Sequence, residues 1–256
     1  MKKLMILSLA ALAAAEVFAI QGTLFTETET LAGDIKWRAR EKKYVISVKK
    51  GKTMVDMERA KDDVTGLDIP KPANYDKAVQ LVESGSGAAA IGILQKIVDE
   101  YVMLQWDKPA GRYLALAHIS ANHAQKAYDI CQKIISGDKE AAYKGDLAPA
   151  YWQALLKLGK FDQLETCLKK AASAGDRASS AAALVMRGDI IVAKSNDAPD
   201  QLKKALTDAY LRVVLMYQDP ECRRERAEAM VRAASCFDKL GQAARAETLR
   251  SQAKAL

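Results

Sequence analysis

The chain has 256 residues and a formal net charge of +7; half of it is hydrophobic and only 6% aromatic. That length allows one large domain or two unequal ones, and an alanine- and leucine-rich composition suits closely packed helices. The basic excess is spread beside acidic neighbours, and no basic stripe interleaves with stacking aromatics, so a nucleic-acid partner is not expected.

Taken in order, the chain begins with a targeting pattern. Lys2 and Lys3 precede an apolar run from Leu4 to Ala15 that is too short to span a bilayer, and Val17-Phe18-Ala19 fits a small-x-small cleavage site. Residues 1–19 therefore read as a secretory signal peptide of bacterial type, which implies a periplasmic or secreted protein with no membrane span after cleavage.

Residues 20–69 alternate with a period of two. Ile35, Trp37 and Ala39 alternate with Lys36, Arg38 and Arg40; Tyr44, Ile46 and Val48 follow, then Thr53, Val55 and Met57 beyond the Lys49-Lys50-Gly51-Lys52 turn. This pattern predicts a small antiparallel sheet or barrel of four or five strands with one buried face. Arg38, Arg40, Lys42 and Lys43 give it a basic outer face, read as solvated edge charge. Residues 70–73 (Pro70-Lys71-Pro72-Ala73) are read as a short, stiff linker, because two prolines in three positions exclude helix.

Residues 74–256 read as helix pairs. Gly85, Asn122, Gly159 and Asn196 recur every 37 residues, and Gly241 follows after 45. Gly and Asn best tolerate the left-handed conformation that ends a helix. Ala78, Ala115 and Ala234 lie seven residues before such turns, and Ala90, Ala127 and Ala246 lie five after them. Gly188 sits one position off; Trp152 is a large exception that predicts a change in curvature at the middle of the stack. In the third unit Leu164 takes the second small place, and in the fourth Ala205 does so in a helix that starts late, after Ala198-Pro199. Asp107, which precedes Lys108-Pro109, and Asp146, Asp176 and Asp219, each beside Gly or Pro, are expected helix N-caps. About ten helices in five antiparallel pairs are expected. A repeat in the thirties marks a helical solenoid.

On these residues, and on the turns Leu158-Gly159-Lys160-Phe161 and Leu240-Gly241-Gln242-Ala243, the chain resembles the tetratricopeptide-repeat family over about residues 74–256. The whole layout is similar to exported bacterial proteins that carry such repeats. The resemblance implies that the first helix of each pair lines a concave groove. Carried over position by position, that groove contains Tyr75, Val79, Val82, Arg112, Leu116, Ile119, Gln153, Leu156, Met186, Ile190, Val231 and Ser235. Lys157, Lys194 and Lys239, each two residues before a turn, would line up as a basic lip for an acidic peptide or a C-terminal carboxylate, although helix-end lysines that favour the dipole are the plainer reading.

Chemistry is sparse. Cys131, Cys167, Cys222 and Cys236 show neither a C-x-x-C nor a zinc spacing and are expected to be buried or half-buried free thiols. His118 and His123 lie five apart across a turn, and His118 falls where the family packs an aromatic residue. No nucleophile elbow, zinc-protease helix or phosphate loop is present. The sequence therefore predicts a non-enzymatic scaffold without cofactor or metal that binds a protein or peptide in the bacterial envelope, with self-association possible. The alternative is a polysaccharide-binding or hydrolytic envelope protein with a cleft between the modules near Trp37, Tyr75 and Trp106.

Overall fold

The computed structural model describes residues 19–256, so the leader expectation falls, all but Ala19, outside the described residues. The chain forms two compact units, one ending at Pro70 and the other beginning at Lys71.

The first unit is a five-stranded antiparallel sheet of β1 (Ile20–Thr26), β2 (Thr30–Arg38), β3 (Lys43–Lys50), β4 (Thr53–Ala60) and β5 (Val64–Asp68), in the order β4-β3-β2-β1-β5. It is open rather than closed: β4 and β5 are its two edges. Period-two patterning places Ile35 and Trp37 of β2 inside, with Trp37 packed 4.8 Å from Tyr44. Tyr44, Val45 and Ile46 of β3, an interior strand, are all buried, which accounts for the one apolar residue that breaks its alternation. On β4 the expected buried face forms only in part: Met57 is half-buried, while Thr53 and Val55 stay exposed. Met54 is 53% and Val55 37% exposed, because an edge strand has a neighbour on one side only. The expected basic face is neutralised in part: Arg38 and Lys43 each lie 3.0 Å from Glu58.

The second unit is a stack of helical hairpins: α1 (Tyr75–Glu83) with α2 (Gly87–Glu100), α3 (Asp107–Ser120) with α4 (Ala124–Gly137), and α5 (Leu147–Lys157) with α6 (Phe161–Ser173). Then α7 (Arg177–Ser195) pairs with a rod made of α8 (Pro199–Ala205), a π-helical turn (Leu206–Tyr210) and α9 (Leu211–Met216). Finally α10 (Arg223–Lys239) pairs with α11 (Ala243–Ala255). The first helices α1, α3, α5, α7 and α10 contact one another in succession and form one layer.

All five expected turn residues take positive φ: Gly85 +82°, Asn122 +61°, Gly159 +66°, Asn196 +45° and Gly241 +73°. At Asn122, Gly159 and Gly241 the turn is closed by paired backbone bonds. At Gly159, for example, Lys160 N–H donates to Leu155 O (2.9 Å) and Gly159 N–H to Leu156 O (3.1 Å). These bonds satisfy carbonyls that the ending helix would otherwise leave open.

Small residues sit where helices touch. Ala78, Ala90, Ala115, Ala127, Ala205, Ala234 and Ala246 are fully buried. Trp152 fits because the connection between α4 and α5 folds over it as a 3-10 turn (Lys139–Ala142), and its indole N–H donates to Ala142 O at 2.8 Å. All four cysteines are buried and free. Burial pushes the Cys131 thiol up to about 12.

Of the four expected caps, only Asp176 caps its helix, accepting from the N–H groups of Ala178 and Ser179. Asp146 pairs with Arg224 (3.2 Å), and Asp219 with Arg177 (2.7 Å). Asp107 lies inside α3, 3% exposed, and accepts from Met103 N–H (2.8 Å) and Lys108 N–H (2.9 Å). The Asp146 and Asp219 carboxylates are used for ties between elements, where an arginine is the nearer partner.

Candidate ligand groove

Helix α7 separates two apolar cores. Ala182, Ala183, Met186 and Ile190 belong to the core formed with α1–α6, while Ala181 and Val185 belong to the core formed with α8–α11. A helix packed on two sides has only a narrow strip left for solvent. That strip carries Asp189, Val192 and Ala193, and with α5 and α10 it forms a concavity of about 490 Å³. Gln153, Leu156 and Lys157 of α5 and Val231, Arg232, Ser235, Cys236 and Lys239 of α10 complete the lining, with Tyr210 from the π turn. A second cavity of about 490 Å³ adjoins it between α10 and α11 and shares Gln153, Val231 and Arg232.

Gln153, Leu156, Lys157, Val231 and Lys239, expected to line a groove, are thus brought together. Met186 and Ile190 are not available: both are buried in the first core (4% and 7% exposed), because α7 turns that face toward α5 and α6. Lys194 does not join the lip. Its ammonium sits 4.2 Å from the centre of the Phe161 ring, a cation–π contact that draws it out of line with Lys157 and Lys239. Lys239 is held 2.5 Å from Asp197.

The six residues expected from the first two pairs lie elsewhere, Val82 and Ile119 packed against the first core. Tyr75 stands edge-on to Trp106 (5.1 Å) and Tyr113 (6.3 Å). Val79 is half-buried on α1, and Leu116 packs against the first core. Arg112 lies 4.0 Å from Asp146 and 3.9 Å from Glu228. With the Arg224–Asp146 pair, this bridges α3 of the second hairpin to α10 of the fifth. The row of first helices therefore curves until its own side chains span the concave face, and the single uninterrupted groove that equivalent repeats would give is replaced by a shorter one over α5, α7 and α10.

The floor of this shorter groove holds a constellation that repeat logic did not reveal. The Tyr210 hydroxyl donates to Asp189 Oδ1 at 2.7 Å, and Arg232 Nε lies 3.2 Å from the same oxygen. Burial raises the Asp189 carboxyl above the usual range, opposed by the Arg232 charge and both hydrogen bonds. Burial, then the Asp189 charge, raises the Tyr210 phenol, so it stays a donor. The one signal in sequence was the 45-residue step from Asn196 to Gly241: the fourth pair carries extra residues, and its second rod contains the π turn that presents Tyr210. His118 is buried with Nδ1 unpartnered, and it lies 6.1 Å from His123, ring to ring. Trp37 and Trp106 are each packed within their own unit, against Tyr44 and Tyr75 respectively. Among the described residues, no group of three or more His, Cys, Asp or Glu is placed to hold a metal ion, and no helix is long and apolar enough to cross a membrane.

No protein-family model and no curated protein matches the chain. Two solved structures are similar: a putative kinesin light chain from Podosopora anserina with nearly identical TPR-like repeats, and a variant of it. Each shows 15% identity and a TM-score of 0.41, covering 72% of this chain and 92% of that chain.

Proposed function

We propose that the chain is a non-catalytic scaffold that binds an extended, acidic and apolar segment of a partner protein in the groove over α5, α7 and α10. The observation that carries this reading is the composition of one concavity. Val231, 50% exposed, lies with Leu156 and Val192 beside Lys157, Arg232 and Lys239. Across the two adjoining cavities Lys157 and Lys254 add positive charge beyond the pairs that Arg232, Lys239 and Arg250 make with Asp189, Asp197 and Asp238. Apolar ground with a cationic rim suits a chain that carries both kinds of side chain. Lys2-Lys3, the apolar run and Val17-Phe18-Ala19 support work in a bacterial envelope, outside the cytoplasm.

The test is peptide selection on the purified chain followed by titration at two salt concentrations. Selected peptides should be acidic and apolar and should bind more weakly at high salt. Val231→Glu and Lys157→Glu should each weaken binding roughly tenfold or more, and Lys194→Glu should leave it unchanged. Equal losses for Lys157→Glu and Lys194→Glu, or selection of no peptide, would contradict the reading.

A further inference from the structure

Three unusual local features converge on Arg232. Residues Leu206–Tyr210 form a π turn, an arrangement that concentrates at functional sites. Gly188 stands inside α7, where glycine is less favourable than alanine; a Cβ there would lie 2.5 Å from the Tyr210 ring. Asp189 holds a carboxylate whose side chain is only 13% exposed, while its partner Arg232 is 44% exposed. The π turn and the glycine place Tyr210, Tyr210 places Asp189, and Asp189 engages only Nε of the guanidinium. Among the described residues no acceptor pairs with the Nη groups, and Arg232 lies on the lining of both cavities.

Resting on the groove reading above, we infer that Arg232 is the anchor for an internal Asp or Glu side chain of the bound segment, and that Tyr210 and Asp189 are positioning residues for its guanidinium. A planar fork with one edge tied down offers its remaining N–H groups in a fixed direction, the geometry that suits a carboxylate. The recognised carboxylate is internal rather than terminal because the two cavities leave room for chain on both sides of Arg232.

The experiment uses the full chain and two random peptide libraries, one acetylated and amidated at its ends and one with free C-termini. In the blocked library, wild type should enrich Asp or Glu at one internal position. A selected Glu peptide should bind roughly tenfold more tightly than its Gln counterpart, the worth of one charge-assisted contact. Arg232→Gln should abolish that ratio. Arg232→Lys, which keeps a cation opposite Asp189 and so preserves the fold, should lose most of it. Tyr210→Phe should reduce the ratio severalfold while leaving the affinity of the Gln peptide unchanged, a pattern that general destabilisation would not produce. Acidic peptides enriched with no preferred internal position, enrichment confined to free C-termini, or a Glu-over-Gln ratio that survives Arg232→Gln would overturn the inference and leave the groove reading standing. Failure to enrich any peptide would overturn both.

Discussion

At the scale of single residues, small side chains decide where helices meet, and two glycines separate tight packing that can yield from packing that cannot. A Cβ on Gly188 would meet the rigid Tyr210 ring at 2.5 Å, whereas one on Gly111 would meet the flexible end of Ile134. Gly188→Ala should therefore lower unfolding free energy by about 1–3 kcal/mol despite the better helix propensity of alanine, and Gly111→Ala should change it by less than about 1 kcal/mol; urea titration of both variants checks the order. His118 offers a second case. Burial, then the charges of Lys126 and His123, hold its imidazole below the ordinary histidine value. The unfolded chain then takes up the proton first, so this group's contribution is complete above that ordinary value and is lost as pH falls below it. His118→Leu should flatten the decline in stability between pH 7 and 5, measured by denaturant midpoints against wild type.

At the scale of elements, the helical turns were legible because each needs one backbone conformation that few residues adopt. Hence Asn122 and Asn196 announced themselves as clearly as Gly159. Asn196→Gly should raise stability by a few tenths to about 1 kcal/mol, since φ of +45° costs glycine nothing, and Gly159→Ala should lower it by about 1–2 kcal/mol although its Cβ would meet only Phe161 at 3.9 Å. Thermal denaturation of the two variants tests both signs. The caps were less legible. An Asp beside Gly or Pro marks a chain reversal, but Asp146 and Asp219 answer to Arg224 and Arg177, which lie far away in sequence. The exposed face of α7 was misread for the same reason: nothing local to Met186 and Ile190 tells that a second core closes over the other side of their helix. Asp189, Tyr210 and Arg232 escaped notice because they come from three helical segments and from no repeated position.

At the scale of the whole helical array, repetition and its breakage divide the work. Repetition builds the layer of first helices; the bridges from Arg112 to Glu228 and from Arg224 to Asp146 limit how much of that layer can be open. Arg112→Glu should destabilise the array, and adding Glu228→Arg should restore part of the loss, with a coupling of about 0.5–1 kcal/mol that shrinks in high salt. The groove that remains over α5, α7 and α10 is the proposed binding site. The most direct test is amide hydrogen exchange of the full chain with and without a selected acidic, apolar peptide. Added protection should fall on Leu147–Lys157, Arg177–Ser195 and Arg223–Lys239 and should vanish with Val231→Glu. Protection confined to other helices or to the sheet, or protection unchanged by Val231→Glu, would contradict the account.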